Sequence, residues 1–387
     1  MQKIDKQKYS ILVVVAVPET VKAFLLDYLD ELAKYYDVSL VCSGQQSNFS
    51  FVLPNDVKFY PINIQRNISL VSDLTSLFKL IKLMGRLDVD MVHSVTPKAG
   101  LLAQTAALAM GVKVRVHTFT GQVWVTKKGF FRFLLKNLDR WIGYCASHVL
   151  ADSDSQSTFL VDEKILHAPK IKVLGDGSIS GVDIERFKFN SDVRVSVRGD
   201  LGYNPNEVIA LFVGRLNKDK GILDLVKAFC LIREKLPQLR LLLVGPDEGK
   251  LKGLINEISG NDKRIKMLGP KNNPEDYMLA ADFFCLPSYR EGFGSVVIEA
   301  ASCSLPAIVS SIYGLTDAVE DKVSGSFHPP GDINTLSSLM EEFTVNVDYR
   351  LDLGRRASER ARSLFSSKII LEKQLSYVNS LLGSFDA

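Results

Sequence analysis

The sequence predicts an α/β protein made of two doubly wound parallel-sheet domains. Three observations carry this. Short continuous apolar runs alternate with amphipathic stretches along the chain. The runs lack the in–out alternation of half-solvated strands, so they read as strands covered on both faces, as in parallel sheets. At 387 residues, the chain is also too long for one hydrophobic core.

The elements follow in order. The first strand, "SILVVVAV", is followed by the helical "ETVKAFLLDYLDELAKYY" and a second strand, "VSLVCS". Later, "VDMVHSV", "KAGLLAQTAALAMG" and "VKVRVHTF" repeat strand, helix and strand, the order of a doubly wound layer. From residue 183 the pattern breaks in "DIERFKFNSDVRVSVRGDLGYNPNE", which is polar and punctuated by Gly and Pro. A fresh series then starts with "VIALFVGRL" and continues through "LRLLLVG", "RIKMLG", "ADFFCLPS" and "PAIVSS". The boundary is therefore expected near residue 186, giving domains at 1–185 and 186–367. The amphipathic tail, 368–387, is expected to pack back on the first domain. Two such domains are expected to enclose a cleft at the carboxyl ends of their sheets, where open α/β sheets bind ligands.

Composition narrows the class. A net charge of +3 gives no bulk attraction for nucleic acid. Five dispersed cysteines without a C-x-x-C pair read as reduced thiols of a cytosolic protein. The N-terminal apolar run is of strand length and ends in Pro-Glu, so it reads as a strand and not a leader. No apolar segment approaches the ~20 residues needed to span a bilayer.

The chemistry concentrates in "SYREGFGSVVIEAASCSLPAIVSS", residues 288–311. Glu291 lies just past a buried strand. Gly292 and Gly294 permit a tight turn and close approach of a ligand. From about Ser295 a helix can run to Ser302, leaving the amides of Gly294, Ser295 and Val296 as a phosphate-binding helix start. Glu299 falls about one turn inside that helix. Carboxylates repel phosphate, so Glu291 and Glu299 suit hydroxyls on either side of it, the layout of a nucleotide sugar. Cations for the phosphates come from "LFVGRLNKDKGILDLVKAF": Arg215 at a strand end and Lys220 at the start of the next helix. Each set taken alone also reads as solvated surface charge. Together, in order and beside glycines, they point to a ligand.

These two segments, "VGRLNKDKG" and "LPSYREGFGSVVIEAASCSLPAIVS", resemble the donor domain of retaining glycosyltransferases of family 4, which have the GT-B fold. The resemblance implies that Arg215 and Lys220 hold the diphosphate, that Glu291 contacts the transferred sugar and that Glu299 binds ribose. It implies that the turn through Gly292, Phe293, Gly294, Ser295 and Val296 covers the phosphates. It further implies metal-independent chemistry with no cofactor. The two D-x-D stretches, Asp88–Asp90 and Asp152–Asp154, read as structural and as loop capping.

The first domain is less legible. "AVPETVKAFLL", "HSVTPKAGLLAQTAALAMGVKVRVHTFTGQVW" and "ADSDSQSTFLV" resemble the branch that acts in capsule and O-antigen assembly. Glu19 and Thr20, past the first strand, and Lys98, before a helix, are candidates for the acceptor side. His117 and Thr120 join them, although His93 and His117 also read as buried structural histidines. Between residues 94 and 150 stand eight Lys/Arg and one acid. Lys127, Lys128, Arg132, Lys136 and Arg140 interleave with aromatics, which suits either an anionic membrane surface or a solvated helix face.

The expected activity is a retaining transfer of a sugar from a nucleoside diphosphate sugar, UDP-linked by preference over GDP, to an undecaprenyl-diphosphate-linked saccharide. The resemblance places it in bacterial surface polysaccharide assembly, at the inner face of the plasma membrane. A GT-B-fold sugar-nucleotide epimerase and a silent nucleotide-sugar-binding module remain as alternatives.

Overall fold

A computed structural model describes residues 8–65 and 69–383. The chain divides into two compact units. One runs to Ser180 and takes in the C-terminal stretch from Ile369; the other is Gly181–Lys368. The division thus falls a few residues before the boundary expected near 186. The last four residues of the expected tail helix lie outside the described residues.

The first unit begins with β1 (Ser10–Val14), α1 (Pro18–Phe24), α2 (Leu26–Tyr35), β2 (Asp37–Cys42) and β3 (Lys58–Pro61). It continues with α3 (Leu70–Leu87), β4 (Met91–Val95), α4 (Pro97–Ala109), β5 (Val114–Phe119) and α5 (Gly129–Cys145). It closes with β6 (His148–Ala151), α6 (Asp154–Asp162) and β7 (Ile171–Val173). The seven strands pair in the order β3-β2-β1-β4-β5-β6-β7, all parallel. Ile11, Val13 and Val15 face one apolar cluster with α1 and α2, while Leu12, Val14 and Ala16 face another with α3 and α4. Burial on both faces is the reason the strand reads as one unbroken apolar run.

The second unit contains α7 (Ser191–Asp200), β8 (Val208–Val213), α8 (Ile222–Ile232), β9 (Leu239–Val244) and α9 (Lys252–Ser259). Then come β10 (Ile265–Gly269), α10 (Pro274–Ala280), β11 (Phe283–Leu286), α11 (Ser295–Ser302) and β12 (Ala307–Ser310). The unit ends with α12 (Leu315–Ala318), β13 (Gly325–His328), α13 (Ile333–Val345) and α14 (Val347–Leu364). Its six parallel strands are ordered β10-β9-β8-β11-β12-β13. The final helix, α15 (Ser367–Gly383), packs Tyr377 and Val378 into the core of the first unit.

Helix α7 lies where the sequence reads only as a break. Its anchors are polar, so apolar periodicity does not report it. Arg194 donates to the Leu279 carbonyl at 3.0 Å and to Asp282 Oδ1 at 2.7 Å. Arg198, which is buried, donates to the Ala280 carbonyl at 3.0 Å and to Asp282 Oδ2 at 3.2 Å.

Candidate active site

In the second unit the strand order reverses between β8 and β11, the topological switch point where open α/β sheets bind ligands. Arg215 and Lys220 follow β8, and Glu291 follows β11, so all three stand at the carboxyl ends of the strands that flank the switch.

Local geometry holds them there. Asn217 Oδ1 caps the 3₁₀ turn Lys218–Lys220 by accepting from the Lys220 amide at 3.1 Å. Gly221 has φ +68°, and a Cβ there would meet the Pro287 carbonyl oxygen at 1.9 Å. Only glycine lets this turn press against the end of β11. The contact brings Lys220 Nζ into an ion pair with Glu291 Oε1, which also accepts from Ser288 Oγ at 2.8 Å. Tyr289 closes the loop: its amide donates to the Asp219 carbonyl at 2.8 Å and its hydroxyl to Asp224 at 2.6 Å. The Asp224 bond and burial push the Tyr289 phenol up to about 12.

Arg215 is exposed and pairs with Glu248 at 3.1 Å. Gly294 stands in the left-handed region at φ +81°, heading α11, with the space a Cβ would fill taken by Leu315 Cδ2 at 2.5 Å. The Ser295 and Val296 amides begin the helix without intrahelical acceptors. Phe293 belongs to the turn expected to cover the phosphates. Its ring is buried and packs at 5.2 Å on Phe365, so only its backbone remains available to a ligand.

Glu299 lies on α11, half-buried, and burial pushes its carboxyl up to about 7 against the opposing pull of Arg186. Arg186 carries no sequence signal of this role. It grips Glu275 through two bonds of 2.9 Å, from Nε and from a terminal nitrogen. Glu275 lies 89 positions along the chain, so no local pattern announces the pair.

In the first unit, the reversal falls between β1 and β4. Glu19, exposed, and Thr20, half-buried, follow β1 on α1. Lys98 opens α4 and pairs with Asp73 of α3 at 2.6 Å. Beside it, Thr96 has φ +78°, a strained value for a β-branched residue, and its buried Oγ1 has no hydrogen-bond partner among the described residues. Thr120 is half-buried just past β5. His117 is not at the surface, which corrects its expected place among acceptor contacts. It is fully buried, with Nδ1 2.9 Å from Ser94 Oγ and its ring against Gly100, where a Cβ would meet it at 2.3 Å. His93 is also buried, between Tyr28 Oη at 3.0 Å and Thr118 Oγ1 at 2.9 Å. Burial lowers His93 to about 4 and His117 to about 3.

The basic stripe of α5 turns inward. Lys136 and Arg132 pair with Glu163 at the end of α6, Arg132 at 3.3 Å, and both lie over the Trp124 ring. Arg140 donates to the Lys164 carbonyl at 2.9 Å. The stripe therefore clamps α5 to the end of α6 while the Arg132 side chain stays 40% exposed; Lys127 and Lys128 are the most open of the five. The D-x-D stretches have structural partners: Asp90 accepts from the Ser10 amide at 2.8 Å, and Ser153 caps α6 by accepting from Gln156 N at 3.1 Å.

The profile of the group 1 glycosyl transferases matches residues 195–360, and that of the glycosyl transferase 4-like proteins matches residues 10–153. The chain is 31% identical over 328 residues to the capsular polysaccharide biosynthesis glycosyltransferase CapM of Staphylococcus aureus, covering 83% of this chain and 84% of that one. The chain belongs to the group 1 glycosyltransferases. The glycosyltransferase is also 29% identical over 332 residues to the UDP-Gal:alpha-D-GlcNAc-diphosphoundecaprenol alpha-1,3-galactosyltransferase of Escherichia coli, covering 81% and 82% of the two chains. Sucrose-phosphate synthase from Thermosynechococcus elongatus superposes with a TM-score of 0.81 at 20% identity, over 97% of this chain and 100% of that one. HepE of Anabaena, solved with UDP-glucose, superposes with 0.80 at 20% identity, over 96% and 99%. The fold of the glycosyltransferase is GT-B.

Proposed function

We propose that this glycosyltransferase moves a sugar from a UDP-sugar, with retention at the anomeric carbon, onto an undecaprenyl-diphosphate-linked saccharide in bacterial surface polysaccharide assembly, as a peripheral enzyme at the inner membrane face. The observation that carries the donor side is that Arg215, Lys220 and Glu291 all follow the carboxyl ends of the strands flanking the switch point of the second unit, with Lys220 and Glu291 ion-paired. The acceptor class is supported by the name of the Escherichia coli relative.

Arg215 and Lys220, with the first amides of α11, would neutralise the diphosphate. The exposed Arg215–Glu248 pair is weak in water and yields readily to a phosphate. Lys220 is held by Glu291, so a bound phosphate would sit beside a preoriented ammonium, with Glu291 reaching the sugar hydroxyls. Glu299 would accept from ribose. The bond from the anomeric carbon to the leaving phosphate oxygen breaks as the acceptor oxygen bonds on the same face. The acceptor proton passes to the leaving diphosphate. The growing charge on that group is what the cations and amides stabilise.

The test is nucleotide release and product analysis with UDP- and GDP-sugars, with and without membrane lipid extract. Extract-dependent UDP release with an α-linked product from an α-linked donor is expected. Release that ignores the extract, an inverted linkage, or isomerised donor without acceptor would each overturn a stated part of the reading.

A further inference from the structure

With Arg132, Lys136 and Arg140 bound at the end of α6, what α5 shows most to solvent is aromatic, beside an Arg132 side chain that stays 40% exposed. Phe130, Phe131, Phe133, Trp141 and Tyr144 are between 45% and 71% exposed. Phe130, Phe133, Trp141 and Tyr144 fall at the three- and four-residue spacings, with Asn137 between, that place them along one side of the helix. Trp141 stacks on Tyr144 at 5.5 Å and donates to Thr105 of α4 at 3.0 Å, so these rings are held in place. Two helices away, α3 exposes Leu70, Leu74 and Phe78 in its first half. The helices are neighbours in one layer, α3 on α4 and α4 on α5. Each precedes or joins strands of the same parallel sheet, so all three start at its carboxyl edge. The apolar starts of α3 and α5 therefore share one end of the layer.

Charge selects the occupant. Lys127 and Lys128, just before α5, are exposed, as are Lys79, Lys82 and Arg86 of α3. The three helices carry two acids: Asp73, paired with Lys98, and Asp139, buried with its carboxylate on the Trp124 indole nitrogen at 2.7 Å. The three helices thus offer exposed aromatic rings and cations with no exposed acid of their own, although Asp88, which caps the C-terminal end of α3, is exposed. A second copy docking by a two-fold axis would set cations against cations. An anionic bilayer takes the rings at its headgroup level and the lysines at its surface.

We propose that the aromatic side of α5, with the exposed start of α3, is the surface by which the enzyme sits on an anionic membrane. Aromatic insertion carries the attachment, and the lysines steer it. The inference deepens the lipid-linked acceptor reading and rests on it only for the purpose such a surface serves.

The experiment floats the full chain with phosphatidylcholine vesicles containing phosphatidylglycerol, at about 0.1 M and about 1 M salt, where the screening length falls from about 10 Å to about 3 Å. Wild type is expected to keep most of its binding at high salt. Phe130→Ser/Phe133→Ser should lose about tenfold or more at both salts with unchanged melting, because both rings are exposed. Lys127→Glu/Lys128→Glu should weaken binding mainly at low salt. Binding that vanishes entirely at high salt, or is untouched in the phenylalanine variant, overturns the proposal. So does a lipid-free dimer, seen by sedimentation, that the phenylalanine variant dissociates. Transfer is followed in parallel. Vesicle binding without any transfer leaves the docking surface standing and removes the acceptor reading; transfer to a lipid-linked acceptor without vesicle binding does the reverse.

Discussion

Lys220→Ala probes the site through a partner that the structure identifies. Nζ is ion-paired with Glu291, and the two side chains are 17% and 11% exposed. Removing the ammonium has two separable effects. The donor diphosphate loses one charge-assisted hydrogen bond, about 1.5–3 kcal/mol. At about 1.4 kcal/mol per decade this is a roughly 10- to 150-fold loss in kcat/KM. Glu291 also loses its cation and keeps the Ser288 bond at 2.8 Å. A mostly buried carboxylate left this way costs about 1–3 kcal/mol of stability. Glu291→Gln separates the two. The amide still accepts from Ser288, and Lys220 stays available for phosphate, so turnover should fall further than nucleotide affinity. In the double variant part of the stability should return, because no unpaired carboxylate remains, while the rate should not. Initial rates of nucleotide release, nucleotide titration calorimetry and urea unfolding measure the three quantities. A folded Lys220→Ala enzyme within about twofold of wild-type kcat/KM would refute the reasoning, as would equal losses of turnover and affinity in Glu291→Gln.

Other expectations follow from burial. The Glu299 carboxyl is raised to about 7 in the folded chain. The native state therefore holds a proton that the unfolded state releases between about pH 4.5 and 7, and this contribution to stability should fade as pH rises through that window, on the order of 2 kcal/mol. Glu299→Gln should flatten that slope in urea titrations, and Arg186→Met should move it to higher pH. His93 and His117 act with the opposite sign. Both are lowered by burial, to about 4 and about 3, so the unfolded state gains protons first as pH falls below about 6.5. Melting should weaken on acidification, by about 2 kcal/mol per histidine at about pH 5, and His93→Phe should lessen the loss. Gly221→Ala should destabilise the second unit by upwards of about 2 kcal/mol, since the methyl would meet the Pro287 carbonyl oxygen at 1.9 Å in a left-handed turn. A melt unchanged from wild type would remove Gly221 from the account.

Much of the fold is legible because the signal is local. The sheets bury both faces of their strands, so β1, β8 and β11 read as unbroken apolar runs. The start of α11 is legible because Gly294 and the residues after it spell a helix N-terminus. Arg215, Lys220 and Glu291 are legible because each stands within a few residues of a strand end, where chain order alone puts it at the sheet's carboxyl edge. Helix α7 is not, because arginines bound to carbonyls and to Asp282 anchor it.

The sequence alone determined two doubly wound layers, a glycine turn heading a helix, and cations and carboxylates at strand ends. Periodicity and punctuation report which residues share a face and where an element stops. Tertiary structure decided what each face meets. It set Lys220 against Glu291 and Arg186 against Glu275, turned the α5 cations onto Glu163, and buried His117 behind Gly100. Those outcomes depend on partners many residues away, and a periodic pattern carries no record of the element that will pack against it.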